Sequence, residues 1–401
     1  MINNNKIPRI RVSGYDDEWV IHRIGDYLTL SKTPGHTGVD AKKLTVKLWG
    51  KGIVEKTDIY EGSENTQYYI RTAGQLMYGK LDFLHAAFGI VPEDLDGYES
   101  TLDSPAFDLH GIDGQFLLNR VTQERFYIKN GLIANGSRKA KRIHEDTFLN
   151  MSIPIPSYDE QKQIGEYLAQ LDDFISISER ELERLLCMRK AMVDKMFPQG
   201  NKDVPEVRFE KYNKPWRFCK LSEIFTERHC IDTVSEEYPQ LSFTIEDGVI
   251  WPEERKTNKR DFLILDKDNK KYLQTEYDDI IYNPANVIFG AIHRNALGKG
   301  CVSPIYKIFY TNQDSSFMEC IVRHPRFIRE ISRSMEGTVK KLRTLKPKAF
   351  LQMSAYIAPS MEEQQQIGSF FQQLDRLIEI QKAELEKFKH IKSACLEKMY
   401  V

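Results

Sequence analysis

Two glycine-led basic runs are the residues of this chain best suited to hold a ligand. Gly136, Ser137, Arg138, Lys139, Lys141 and Arg142 form the first; Gly337, Thr338, Lys340, Lys341, Arg343 and Lys346 form the second. Glycine lets a backbone approach a phosphate closely. Clustered lysines and arginines suit the salt-sensitive, sequence-independent share of nucleic-acid affinity. A charge run is more often a solvated face, but this one recurs at a matching place. Reading base edges needs other side chains, because Asn and Arg make bidentate contacts that discriminate by roughly 1–3 kcal/mol. Asn283 and Arg294, with Tyr78, Lys80 and Tyr282, are the candidates, although each tyrosine follows apolar residues and fits a core equally well.

Residues for catalysis are harder to find. Asn283, Pro284 and Ala285 share the start of the NPP-type site of amino-methyltransferases, but the following proline and aromatic residue are missing. No glycine-rich strand-to-helix turn suits S-adenosylmethionine. Glu254, Arg255 and Lys256 fit half of a nuclease ExK motif without its upstream Pro-Asp context, and such triplets arise by chance in a chain that is 29% charged. The nine histidines form no HExxH or HxH cluster, and no GxxxxGK[ST] loop occurs, so metal, Ser/His and ATP chemistry gain no support. Lone histidines such as His85, His110 and His293 read as structural or solvent-facing.

Composition sets the frame for these residues. At 401 residues and 41% hydrophobic content, the chain can bury two ordinary cores. No apolar run approaches the roughly 18 residues of a membrane span. The start, MINNNKIPRI, has no apolar signal region, so a cytoplasmic protein is expected. The six cysteines show no CxxC spacing and read as buried reduced thiols. A net charge of −1 argues against a wholesale basic coat, yet leaves room for local basic patches.

The elements that must position the basic runs come in two copies. Glu160 opens EQKQIGEYLAQLDDFISISERELERL and Glu363 opens EQQQIGSFFQQLDRLIEIQKAELEKF, with Gln161, Gln163, Ile164, Gly165, Leu171 and Asp172 recurring as Gln364, Gln366, Ile367, Gly368, Leu374 and Asp375. Pro8, Arg11, Tyr15 and Trp19 return as Pro205, Arg208, Tyr212 and Trp216 at the same spacing. Leu76-Met77-Tyr78 with Ser104–Phe107 matches Ile280-Ile281-Tyr282 with Ser303–Tyr306, and Gly136–Met151 matches Gly337–Met353. A repeat of this kind decides architecture before any local motif does. The chain is two tandem halves, and the divergence between anchors is what two modules reading different targets would show.

Each half ends in a helix. Apolar residues fall at Ile164, Leu168, Leu171, Ile175, Leu182, Leu185, Met192 and Met196, and again at Ile367, Phe371, Leu374, Ile378, Leu385, Phe388, Cys395 and Met399. Polar residues interrupt both series at matching places, Ser178 and Arg189 against Gln381 and Lys392. Sustained a/d spacing predicts a coiled-coil seam, and the matched interruptions predict that the two helices pair in one register. Ser157 and Ser360 are the expected caps. Because the first helix carries the chain onward and the second must return, the pair should be antiparallel, with Val401 ending near the N-terminal module. About 38 residues give a rod of roughly 57 Å, longer than the ~34 Å turn of duplex DNA.

At these residues the chain resembles the specificity (S) subunits of type I restriction–modification enzymes. Asp278–Phe309 and Gly74–Leu109 resemble two versions of that family's target-recognition-domain signature, and Ser152–Gly165 resembles the start of its helical region. The likeness runs through the chain in the family's order. It implies recognition domains at 1–150 and 201–352, helical spacers at 151–200 and 353–401, and a non-catalytic reader of a split, asymmetric double-stranded DNA target. It also implies that the helix pair sets the unread spacer and docks two methyltransferase subunits, with restriction/translocase subunits joining the complex. S-adenosylmethionine, ATP and Mg would then be used by the partner chains, with no cofactor here. The first module has Tyr78-Gly79-Lys80 where the second has Tyr282-Asn283-Pro284, the variability the resemblance implies for recognition domains.

The expected fold is α+β: two globular recognition domains separated by a long antiparallel two-helix coiled coil, an internal tandem repeat with pseudo-twofold symmetry. Its seam is Ile164, Leu171, Ile175 and Leu182 with Ile367, Leu374, Ile378 and Leu385. The expected DNA contacts are Tyr78, Lys80, Arg138, Lys139, Arg142, Tyr282, Asn283, Arg294, Lys340, Lys341 and Arg343. Two alternatives stay open: a DNA-modifying enzyme fused to its own recognition domains, and a coiled-coil scaffold that binds proteins and no DNA.

Overall fold

A computed structural model describes residues 6–57, 63–132, 142–200, 202–255, 270–335 and 343–401. By internal contacts the chain forms two compact units, Met1–Glu179 with Ala383–Val401 and Arg180–Lys382. Their borders fall inside the long helices rather than at residues 150, 200 or 352. Each unit is therefore completed by a helical segment from the other half of the sequence.

The first unit is built on an antiparallel four-stranded sheet, ordered Leu28–Ser31, Ala106–Leu109, Leu76–Tyr78, Phe88–Ile90. Strand Leu76–Tyr78 is apolar on both faces and wholly buried, as a central strand covered on both sides must be. A three-stranded sheet (Pro34–Thr37, Gln67–Ile70, Glu99–Ser100) and a hairpin (Leu44–Val46, Ile53–Glu55) are interleaved with it in sequence. Helices Gly114–Val121 and Glu124–Gly131 follow.

The second unit repeats this plan element for element. Its four-stranded sheet runs Phe225–Arg228, Lys307–Thr311, Ile280–Tyr282, Ile292–Arg294; its smaller sheet runs Ile231–Asp232, Tyr272–Thr275, Gly300–Val302; its hairpin is Ser242–Thr244 with Gly248–Ile250. Helices Ser315–Val322 and Pro325–Ser334 follow in turn. The tandem repeat seen in a few anchor residues is thus a repeat of the whole topology.

Those anchors have physical jobs. Arg11 Nε and Nη2 donate to Glu160 Oε1 and Oε2 at 2.8 and 2.9 Å, and Arg208 does the same to Glu363 at 2.7 and 2.8 Å. Both glutamates are buried, so each needs its arginine. Gln161 Oε1 accepts from Asp113 N at 3.0 Å while its Nε2 donates to Pro156 O, and Gln364 repeats this with Asp314 N and Ala358 O. Asp113 and Asp314 cap the next helix by accepting from Phe116 N and Phe317 N. A Cβ at Gly165 or Gly368 would lie 2.4 or 2.6 Å from those aspartate oxygens, which is why both helices carry glycine about two turns in.

Both long helices, Tyr158–Lys195 and Met361–Lys398, are 38 residues. Ser157 Oγ and Ser360 Oγ accept from Glu160 N and Glu363 N, as the caps expected of them. Within the first unit, the start of one helix runs antiparallel to the end of the other: Asp172 pairs with Lys392, Phe174 stacks on Phe388 at 5.5 Å, and Glu179 meets Lys389 at 2.9 Å. Within the second unit, Arg189 pairs with Asp375, and Met192 and Val193 pack with the core that holds Ile367 and Phe371. Two of the polar interruptions, Arg189 and Lys392, are therefore the cationic halves of one ion pair made twice. Of the seam residues, Ile164, Leu171, Ile367, Leu374, Ile378 and Leu385 are buried, and Ile175 and Leu182 are half-buried.

The helix ends finish the cores. Phe197 packs on Trp216, Phe317 and Phe371 in the second unit. Tyr400 packs on Trp19 and Phe116 in the first and donates to Phe116 O at 3.2 Å. Ile10 N donates to Lys398 O at 3.0 Å, so the C-terminal residues do end in the N-terminal unit. The cysteines depart from expectation in part: all are free, but Cys187 and Cys230 are exposed because they lie on an outer helix face and a loop. No helix among the described residues is long and apolar enough to cross a membrane.

Candidate nucleic-acid interface

The structure redistributes the residues expected to touch DNA. Arg138, Lys139, Lys340 and Lys341 lie outside the described residues. Arg142 is at the surface, 3.3 Å from Asp103, and Arg343 is exposed.

Tyr78 and Tyr282 are corrected to core residues. Both are fully buried, stack on Phe107 and Phe309, and donate their hydroxyls to Ile143 O at 3.0 Å and Leu345 O at 3.1 Å. Burial pushes both phenols far up, so they remain neutral donors. They tie the central strand to the segment that leads into the last helix before each long helix. Lys80 is also corrected: its ammonium is nearly buried against Glu145 at 2.8 Å, a pairing forced by removal from water. Arg294 is held by Asp278 at 2.7 Å and Glu319 at 3.7 Å beside the Tyr277 ring. Asn283 spends its side-chain oxygen on Ala285 N and Asn286 N, closing a turn.

Other exposed residues converge where those do not. In the first unit, Lys42 lies over Tyr98 and Lys43 over Tyr68, each within 6 Å of the ring centre. His36 stands on the small sheet above buried Glu99, which accepts from His36 N at 2.7 Å and meets Nδ1 at 2.5 Å. The hydrogen bond and charge of Glu99 hold His36 above its usual range, favouring the cation. Gly35 is required beneath this pair, because a Cβ there would sit 2.2 Å from Glu99 Oε2. The neighbouring hairpin tip presents Lys47, Trp49 and Lys51.

The matching face of the second unit is charged differently. Arg228 is bound by Asp279 at 2.8 Å and Glu276 at 3.1 Å, and Lys299 pairs with Glu237. Its hairpin tip reads Ile245, Glu246, Asp247. Among the described residues, one scaffold thus carries a basic, aromatic surface in one copy and an internally paired surface in the other. Sequence reasoning passed over Tyr68, Lys42, Lys43 and Trp49 because it looked for matches between the copies, whereas these sit where the copies differ. Four lysines around one tryptophan from Lys42 to Lys51, with no acidic residue among them, were the available signal.

Residues 115–186 match the family model of the type I restriction modification DNA specificity domain. The chain is 26% identical over 275 residues to the type I restriction enzyme MjaVIII specificity subunit of Methanocaldococcus jannaschii, an alignment covering 62% of this chain and 61% of that one. It is 23% identical over 320 residues to a putative type I restriction enzyme MjaX specificity subunit of the same organism, covering 72% and 70%. The crystal structure of a type I restriction–modification S subunit from M. genitalium superposes with a TM-score of 0.62 at 15% identity, covering 98% of this chain and 99% of that chain, a likeness of fold.

Proposed function

We infer that this chain, which belongs to the family of type I restriction–modification DNA specificity subunits, is the target-reading member of such a complex and performs no chemistry itself. The first and second units each read one half of a split, asymmetric duplex target. The two 38-residue helices, roughly 57 Å long at 1.5 Å per residue, set the unread spacer and dock two methyltransferase subunits. Adenine methylation from S-adenosylmethionine, and ATP- and Mg-dependent cleavage by a restriction subunit, belong to the partners.

The observation that carries this reading is the pairing of one topology with unlike surfaces: among the described residues each sheet and α-helix of one unit recurs in the other, while the exposed hairpin tips and small sheets differ in charge. A duplicated scaffold kept only for stability has no reason to diverge there. Lysines beside tyrosine rings suit phosphate and base contact together. The test is selection of bound duplexes from a random pool by the purified chain. A split motif with two unlike halves, bound with affinity that falls linearly on a log–log plot against salt, is expected. Recovery of no motif, or of one continuous block, contradicts the reading.

A further inference from the structure

We propose that Trp49 is a base-contacting wedge through which the first unit reads its half of the target; the proposal rests on the DNA-reading function above. The chain holds four tryptophans. Trp19 and Trp216 are core residues at 1% and 3% exposure and Trp251 is 36% exposed, whereas Trp49 is the most exposed of the four, at 57%, at the tip of the hairpin Leu44–Val46/Ile53–Glu55, with Leu48 beside it at 39%. A tryptophan that neither fills a core nor covers one has no folding role to explain its size.

The backbone sharpens the point. Trp49 has φ +62° and Gly50 φ +63°, two successive left-handed residues in the loop that joins strands Leu44–Val46 and Ile53–Glu55. Left-handed positions favour Gly, Asn or Asp, and a bulky side chain at φ above zero is strained. The strain is fixed in place. Trp49 N donates to His85 O at 2.7 Å, Gly50 N donates to Ala86 O at 2.8 Å, and Lys47 N donates to Gly52 O at 2.9 Å. His85 stands edge-on to the indole at 5.5 Å, and Ala86 is itself left-handed at φ +49°. A strained conformation over-determined by its surroundings is characteristic of a binding site.

The charge of the segment favours a polyanion over a protein surface. From Ala41 to Val54 the chain carries Lys42, Lys43, Lys47 and Lys51 and no acidic residue. Lys47 and Lys51 flank the indole on either side, placed to meet phosphates while the ring reaches a groove. Gly52, with nothing within 4 Å of where a Cβ would stand, leaves the backbone bare for close approach. Large apolar side chains pushed against or between base steps are an established way to read and bend duplexes, and stacking tolerates any base but favours those that unstack readily. The tip of the matching hairpin in the second unit, Ile245-Glu246-Asp247, carries two acidic residues and no aromatic one; that unit's exposed tryptophan, Trp251, follows the hairpin's last strand instead of standing at its tip.

The test uses the full-length chain, the duplex it selects from a random pool, and the variants Trp49→Asn, Trp49→Phe and Lys47→Ala/Lys51→Ala. Asn suits the turn, so W49N should melt at or above the wild-type temperature while its affinity for the selected duplex falls roughly 5- to 150-fold, the range of one aromatic–base stack. Its preference should relax at one or two adjacent positions in one half only. W49F should keep most of the binding. The double lysine variant should weaken binding to all sequences alike and lower the salt slope, leaving preference intact. Wild-type affinity and preference in W49N overturn the wedge, as does W49N binding DNA normally while losing a methyltransferase partner in co-purification. If the wild type itself selects no motif, the DNA-reading function fails and the wedge with it.

Discussion

Glu160 and Glu363 illustrate how single residues hold this protein together. Each is buried in the first turn of a long helix and is neutralised by one arginine from the segment leading into its unit. Removing one partner of a buried pair leaves an uncompensated charge, at a cost of about 3–5 kcal/mol. Arg208→Ala should therefore lower the stability of the second unit by that amount in urea unfolding, while Arg142→Ala, at an exposed pair, should change it by less than about 1 kcal/mol. Equal effects would mean that the buried pins are not structural. His293 supplies a pH test. Burial pulls it from 6.5 to about 4, and its Nε2 faces Ile245 O at 2.8 Å. Between those values the unfolded chain binds a proton that the folded chain refuses. The stability that neutral His293 supports is complete above pH 6.5 and is lost as pH falls toward about 4. His293→Gln should flatten the profile in that window, and parallel profiles for variant and wild type would contradict the assignment. The residue scale is also where sequence reasoning was weakest. Tyr78, Tyr282 and Lys80 were expected to touch DNA because they recur or carry charge, but recurrence here marks the shared core, and only burial separates the two meanings.

At the scale of elements, much was legible. The two helices, their caps, their antiparallel course and most of the seam follow from heptad spacing, since an apolar stripe has one way to be buried against a like stripe. Arg189 and Lys392 read as gaps because a single sequence does not show that Asp375 and Asp172 stand opposite them. The sheets were less legible: their strands are two to five residues long, too short for a period to declare itself. Gly165 and Gly368 show how tightly helix and module are fitted. Gly368→Ala gains up to about 1 kcal/mol of helix propensity, but the new Cβ would lie 2.6 Å from Asp314 Oδ1, displacing the cap of helix Ser315–Val322. Overpacking costs about 1–3 kcal/mol and a lost cap about 1 kcal/mol more. Net destabilisation of about 1–3 kcal/mol is expected in thermal or urea unfolding; a more stable variant would show that the contact relaxes freely.

At the scale of the molecule, each unit is a composite of two distant stretches of sequence. The domain division at residues 150, 200 and 352 follows the repeat, whereas the compact units follow contacts that no local pattern announces: Tyr400 on Trp19 and Phe116, and Phe197 on Trp216 and Phe317. Tyr400→Ala should cost about 3–5 kcal/mol, as buried aromatic truncations do. In hydrogen exchange the loss of protection should appear in strands Leu28–Ser31 and Leu76–Tyr78 of the first unit, some three hundred residues away in sequence, and spare Ile280–Tyr282. Protection lost equally in both units would contradict two separate cores. The division of labour between the units is the claim on which the function depends. The measurement that tests it most directly is a single-molecule map of N6-methyladenine in cells carrying the partner methyltransferase and either this chain or a form whose residues 1–150 are exchanged for those of another family member. One split motif should be methylated with the native chain, and the exchange should replace one half of that motif while leaving the other half intact. A motif that does not respond to the exchange, or that changes in both halves, would contradict the account.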